Sequence, residues 1–179
     1  MRSLIGERQW PALSATAYVH VLPPAQRFVL RGDAAARAAA ESALGVPVPQ
    51  QACRAGTDGA RAALWLGPDE WLLVAPAADQ EAQGALEHAL GGLAHSLVEV
   101  SHRQLGLLVS GPEAERLLNA GCPLDLDIGP FPVGMCTRTM LSKAEVVLWR
   151  TGTQEFRLEV WRSFAPYVTA YLAEAARGI

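Results

Sequence analysis

Ser101, His102 and Arg103 stand side by side in "VEVSHRQ". A hydroxyl next to an imidazole is raw material for nucleophilic catalysis. In an extended segment, however, neighbouring side chains point to opposite faces, so Ser101 and His102 do not meet as nucleophile and base. Gly106 has no Gly-x-Ser-x-Gly context either, so there is no nucleophile elbow. The three residues read instead as a structural polar joint, hydrogen-bonding a loop or a partner. Cys122, Asp125 and Asp127 in "GCPLDLD" invite a metal reading. The nearest histidine is His102 and no His pair has helical ligand spacing, so these acids read as solvated turn residues. Arg31-Gly32-Asp33 and "SGPE" from Ser110 each open a helix whose N-terminus could meet an anion. Neither has the glycines of a dinucleotide or P-loop fingerprint, and both read as helix caps.

Arg103, Arg138 and Arg162 lie in or beside apolar strands, in "SHRQLGLLV", "CTRTML" and "EVWRSF". A buried guanidinium must find a carboxylate, carbonyls or water. For Arg103 an internal partner is expected, with Glu99, Asp125 and Asp127 as candidates. For Arg162, next to Trp161 at the end of the last strand, a partner protein is expected, because Trp and Arg are enriched at interface hot spots. Trp161, Arg162 and Arg138 are thus the candidate interface. No catalytic, cofactor-binding or metal-binding residue is assigned.

The elements that position these residues repeat. "RFVLRG" reads as a strand, Asp33 as an N-cap, and "AAARAAAESAL" as a helix stopped by Gly45 with Pro47 beyond. Ala62–Leu66 and Glu70–Ala75 read as strands joined across Gly67-Pro68-Asp69. Asp79 is expected to cap a second helix, "QEAQGALEHAL", ended by Gly91 and Gly92. "EVSHRQ" is the strand and join to the second half. There "QLGLLVSG" is a strand, Pro112 takes the first helical position, and "EAERLLNA" is a helix stopped by Gly121. Strands follow over Cys136–Leu141, Glu145–Arg150 and Glu155–Trp161. Ser163 begins a last helix, with Phe164, Tyr167, Val168, Tyr171 and Leu172 on its apolar face.

Trp65 and Trp149, Trp71 and Phe156, and Asp79 and Ser163 stand at nearly equal offsets, and Gly32 and Gly111 at a slightly shorter one. The expected product is an α+β fold of internally duplicated βαββα units, two sheets whose outer faces carry helices. Residues 1–26 are expected as an N-terminal arm and 27–179 as one duplicated domain, with repeats over about 27–95 and 104–178. "EFRLEVW" alternates strictly, so Glu155, Arg157 and Glu159 should face solvent or pair with a neighbouring layer.

Bulk properties narrow the function. The chain has 179 residues, a net charge of −3, and half of its residues hydrophobic. That balance argues against nucleic-acid binding and mildly favours a permanent protein partner. The opening residues lack a continuous apolar run, so no secretory signal is expected. No stretch approaches about 18 uninterrupted apolar residues, so no membrane span is expected. Cys53, Cys122 and Cys136 are odd in number without Cys-x-x-Cys spacing, which points to reduced thiols in a cytoplasmic protein.

Four stretches, "WLGPDEWLLVAP", "VEVSHRQLGLLVSGPEAERLLNAGCPLDLD", "FPVGMCTRTMLSKAEVVLWR" and "FRLEVWRSFAPYVTAYL", together resemble the gamma subunit of the heterotetrameric sarcosine oxidases. The resemblance covers about residues 27–175. It implies a fold similar to the folate-binding part of the glycine-cleavage T-protein. It also implies a complex with alpha, beta and delta subunits that oxidatively demethylates sarcosine to glycine. FAD, FMN, NAD, tetrahydrofolate and zinc are then expected on the partner subunits and none on this chain, whose role is structural. The alternatives are the same role in a related N-methyl amino acid oxidase or dehydrogenase, or a stand-alone folate-binding module.

Overall fold

The computed structural model describes residues 17–179. The opening segment, 1–16, on which the signal-peptide expectation and most of the expected arm fall, lies outside them. In chain order the elements are β1 (Tyr18–Val21), β2 (Ala25–Gly32), α1 (Ala34–Leu44), β3 (Ala55–Asp58), β4 (Arg61–Gly67), β5 (Glu70–Pro76) and α2 (Ala82–Leu90). There follow β6 (His95–Glu99), β7 (Gln104–Ser110), α3 (Ala114–Asn119), β8 (Cys136–Leu141), β9 (Ala144–Gly152), β10 (Glu155–Trp161) and α4 (Ala165–Ala175), which ends in a 3-10 turn.

The first helix follows its sequence signals closely. Asp33 Oδ1 accepts hydrogen bonds from the backbone N–H groups of Ala35 and Ala36, at 2.9 and 3.0 Å. Such a cap contributes about 1 kcal/mol. Gly45 ends the helix at φ 65°, a left-handed conformation that glycine adopts without a Cβ penalty. Ala36, Ala40 and Leu44, one turn apart, form the buried stripe.

Three helix starts differ from expectation. Asp79 does not cap α2: its carboxylate pairs with Arg61, and Glu81 occupies the N-cap position without a side-chain bond. Pro112 precedes rather than opens α3, which starts at Ala114. α4 starts at Ala165, after Ser163 and Phe164, with Pro166 in its first turn. Its expected apolar face is split. Val168 and Leu172 are buried, whereas Phe164 and Tyr167 are exposed.

Two antiparallel five-stranded sheets form, in the orders β3-β4-β5-β2-β6 and β8-β9-β10-β7-β1. Each half therefore contributes a βαβββα run; the three strands after α3 are as expected, and the first half has one strand more than expected because β3 ("AGTD") has almost no apolar signature. The fifth strand of each sheet is the unequal part. β6 follows its own half, whereas β1 precedes the first half yet pairs with β7 of the second, Tyr18 opposite Ser110. The described part of the expected arm is thus sheet structure.

The layers run helix, sheet, sheet, helix. One core joins α1 and α2 to the outer face of the first sheet through Leu30, Leu73, Leu86 and Leu90. A second joins α3 and α4 to the other sheet through Leu107, Leu117, Phe156 and Val168. Between the sheets lie Leu64, Leu72, Val74, Val147 and Trp149. Apolar burial in these three layers, at about 25 cal/mol per Å², is the main stabilising term.

The β4–β5 and β9–β10 hairpins match residue for residue. Gly67 opposes Glu70 and Trp65 opposes Trp71, with Leu66 bulged between them. Gly152 opposes Glu155 and Arg150 opposes Phe156, with Thr151 bulged in the same place. Trp65 is therefore the counterpart of Arg150, not of Trp149. Trp65 packs against the helix-side core, while Trp149 faces the layer between the sheets. A one-residue offset in a strand reverses the face.

Candidate functional site

The layer between the sheets collects the polar residues that apolar strands leave over. Glu159, expected on a wet or paired face of β10, is paired: it is 2% exposed, as is Arg27 of the opposing sheet. Arg27 Nε donates to Glu159 Oε2 at 2.5 Å, and its Nη1 donates to the Ala25 carbonyl at 2.9 Å. Arg157 Nε adds a bond to Glu159 Oε1 at 2.8 Å. Gly106 makes room for this cluster. A Cβ there would lie 3.0 Å from Arg27 Nη2 and 3.3 Å from Glu159 Oε1. Removing one member leaves a buried charge alone, at about 3–5 kcal/mol.

A second bridge lies nearer the rim. Glu70 accepts from Arg31 at 2.7 Å within its own sheet and from Arg138 of the other sheet. The guanidinium of Arg138, and then that of Arg31, hold the Glu70 carboxyl below its ordinary range against the opposing effect of burial. Arg138, a candidate interface residue, thus has an internal partner while remaining partly exposed.

Between the two bridges the sheets leave a cleft of about 150 Å³. Leu66, Leu72 and Val147 line its apolar wall, and Arg103, Gln104, Arg138, Glu145, Glu159 and Trp161 its polar side. Gln104 is 7% exposed, and its Oε1 has no hydrogen-bond partner.

The segment read as a polar joint lies beside this cleft. Ser101 Oγ accepts from the Arg27 backbone N–H at 2.9 Å, tying the turn between the halves to β2. His102 is exposed on that turn. Arg103 does not pair with Glu99, Asp125 or Asp127. Its guanidinium lies over the Trp161 ring, 4.8 Å from the centroid, and its carbonyl accepts from the Arg162 N–H at 2.7 Å. The two acids instead close their own turns, Asp125 on the Asp127 N–H and Asp127 on the Gly129 N–H. Trp161 is 41% exposed. Arg162 is exposed and has no side-chain partner among the described residues.

Cys136 lies between the sheets, and its thiol donates to the Arg54 carbonyl at 3.2 Å. Burial pushes this thiol up to about 12, so it stays protonated at neutral pH. Cys122 is 3.9 Å from Thr139 Oγ1, away from the acids of the following turn.

The Arg27–Glu159 pair is not among the expectations from the sequence. Two signals mark it: a charge inside an apolar run on each side, and glycine at the strand position facing one of them.

Comparison with known proteins decides the family. Residues 31–178 match the sarcosine oxidase, gamma subunit family. The chain belongs to that family. A sarcosine oxidase subunit gamma from an Arthrobacter species is 38% identical over 142 residues, which are 79% of this chain and 70% of the relative. The heterotetrameric sarcosine oxidase from Corynebacterium sp. U-96, in complex with pyrrole 2-carboxylate, contains a chain that superposes with a TM-score of 0.85 at 30% identity. The match covers 90% of this gamma-family chain and 84% of that one. The glycine cleavage aminomethyltransferase T of Bartonella henselae shares the fold, with a TM-score of 0.68 at 16% identity, over 93% of this chain and half of its own. The α+β fold expected from the residues and from the T-protein resemblance is therefore the fold observed.

Proposed function

We propose that this chain is a non-catalytic, structural gamma subunit of a heterotetrameric sarcosine oxidase, a cytoplasmic complex that oxidatively demethylates sarcosine to glycine. The observation that carries this reading is the near whole-chain superposition on a chain of such an oxidase. The chemistry of the interior supports it. Ser101 holds a backbone N–H, the Cys136 thiol is bonded to a carbonyl, and Glu70, Glu159 and their arginines are spent on joining sheets. On this reading the alpha, beta and delta partners carry FAD, FMN, NAD, tetrahydrofolate and zinc. Residues 27–179 act as one duplicated unit, with repeats at about 27–95 and 104–178.

The proposed docking face is the end of β10. Trp161 and Phe164 are each about two-fifths exposed, and Arg162 between them has a free guanidinium among the described residues. An exposed Trp with an adjacent Arg is the composition of an interface hot spot. The test is co-expression with the partner subunits. Arg162→Ala should leave the melting temperature of the lone chain nearly unchanged and weaken incorporation by about tenfold or more, the cost of a hot-spot residue. An Arg162→Ala chain that unfolds alone, or assembles normally, rules the face out. The desalted lone chain should show no flavin absorption.

A further inference from the structure

The cleft between the sheets has a set of groups that the fold leaves unsatisfied. Gln104 Oε1 is buried without a donor, and a buried acceptor in that state is costly. Arg103 has no carboxylate partner among the described residues and rests on Trp161. Glu145 has no cationic partner among them either. All four side chains line one cleft of about 150 Å³, a volume of the order that admits a six-membered ring such as benzene. The other charges in the cleft, Glu159 and Arg138, are already neutralised by the two bridges.

One cation, one anion, one buried acceptor and one aromatic wall within such a volume describe a particular kind of guest. A water molecule satisfies the amide but neither ion. A simple anion satisfies Arg103 and is repelled by Glu145. We infer that this cleft binds a small α-amino acid as its zwitterion. The carboxylate meets the Arg103 guanidinium, and the ammonium donates to Gln104 Oε1 and Glu145. The Trp161 indole and the Leu66 and Val147 side chains cover the apolar part. Opposite charges lining one cleft give orientation as well as affinity, since the reversed guest meets like charges. The site shares Trp161 with the docking face proposed above, but its binding groups all belong to this chain and require neither assembly nor a partner's cofactor.

The full-length purified chain is titrated calorimetrically with glycine, N-methylglycine, acetate and methylamine. Saturable binding of glycine or N-methylglycine in the millimolar range is expected, with acetate and methylamine each far weaker. Gln104→Leu should weaken binding at least about tenfold, as for a lost hydrogen bond to a charged group, and Arg103→Ala likewise. Both variants are checked by circular dichroism and thermal melting. Glu145→Gln, on an exposed side chain, carries the same expectation and keeps the test decisive if Gln104→Leu fails to fold. No saturable heat with the folded wild-type chain, acetate binding as tightly as glycine, or undiminished binding in the folded variants each overturns the inference. Because no partner subunit is present, failure here leaves the assembly test untouched.

Discussion

The two bulged hairpins have the same register and the same glycine opposite the same glutamate, yet they solve one position in opposite ways. In the first, Trp65 opposes Trp71, whose indole N–H donates to the Pro49 carbonyl at 2.7 Å. In the second, Arg150 opposes Phe156 and lies over its ring at 4.8 Å. Arg150 is 2% exposed and donates to the carbonyls of Leu126, Phe131 and Thr153 and to the Glu115 carboxylate. The connection after α3 is long and poor in secondary structure, running to Cys136. A guanidinium with five donors organises such a chain from beneath, which an indole with one donor does not. The corresponding connection after α1 is shorter, and it is held by the Trp71 bond to Pro49 together with Arg37 and Glu41 of the helix, which bond the Val48 carbonyl and N–H. A duplicated scaffold thus tolerates a change from apolar to charged where the loop above supplies the acceptors.

The largest effect should come from removing that anchor. Arg150→Ala strands the carbonyls it bonds and leaves a hole under Phe156, which should cost about 3–5 kcal/mol. Thermal melting should fall by roughly 10 °C, and limited proteolysis should open the segment between α3 and β8 first. An unchanged melting temperature would show that the anchor is not needed. Trp71→Phe, at the first-half position that corresponds to Phe156, keeps an aromatic ring and removes the one indole bond to the connection after α1. It should cost about 1–2 kcal/mol by denaturant titration, without loop cleavage. If the two variants proved equal, the asymmetry would be an accident of composition.

The smallest effect concerns the rim bridge, which the second half lacks, since its Glu155 bonds Thr151 instead. The folded value of Glu70 is lowered from the ordinary 4.5, chiefly by Arg138. Its contribution is therefore present above about pH 4.5 and is lost as pH falls through the lower folded value. Glu70→Gln should flatten the acid limb of a plot of urea midpoint against pH and change stability at pH 7 by less than about 1 kcal/mol. An unaltered acid limb would mean that the bridge does not hold the sheets together. Glu155→Gln should leave that limb as it is.

Much of the fold was legible because local signals agree with it. Asp33 and Gly45 bound α1, strict alternation reveals β10, and Gly-Pro-Asp marks the first hairpin turn. What escaped has physical reasons. β3 has no apolar residue beyond its first, β1 is four residues long, and the face of Trp149 depends on a bulge that shifts the count by one. Ser101, expected to hydrogen-bond near the join of the halves, accepts from the Arg27 N–H. The companion expectation for Arg103 failed because stacking on an indole leaves no mark in sequence spacing. Arg27 and Glu159 are 132 residues apart, so only the folded layers bring them together.

Strand β1 gives the molecule a clock. All five strands of the first sheet lie within residues 25–99, so that sheet can close as soon as the ribosome has released them. β1 has no such freedom. Its partner β7 begins at Gln104, and at about 5–20 residues per second its exposed edge waits several seconds for that partner. Arg27 waits longer still, its countercharge arriving only with β10. During synthesis the half-made chain thus presents an open strand edge and an uncompensated guanidinium on the surface that later becomes the middle of the protein. The order of translation sets how long that edge and that charge wait for their partners.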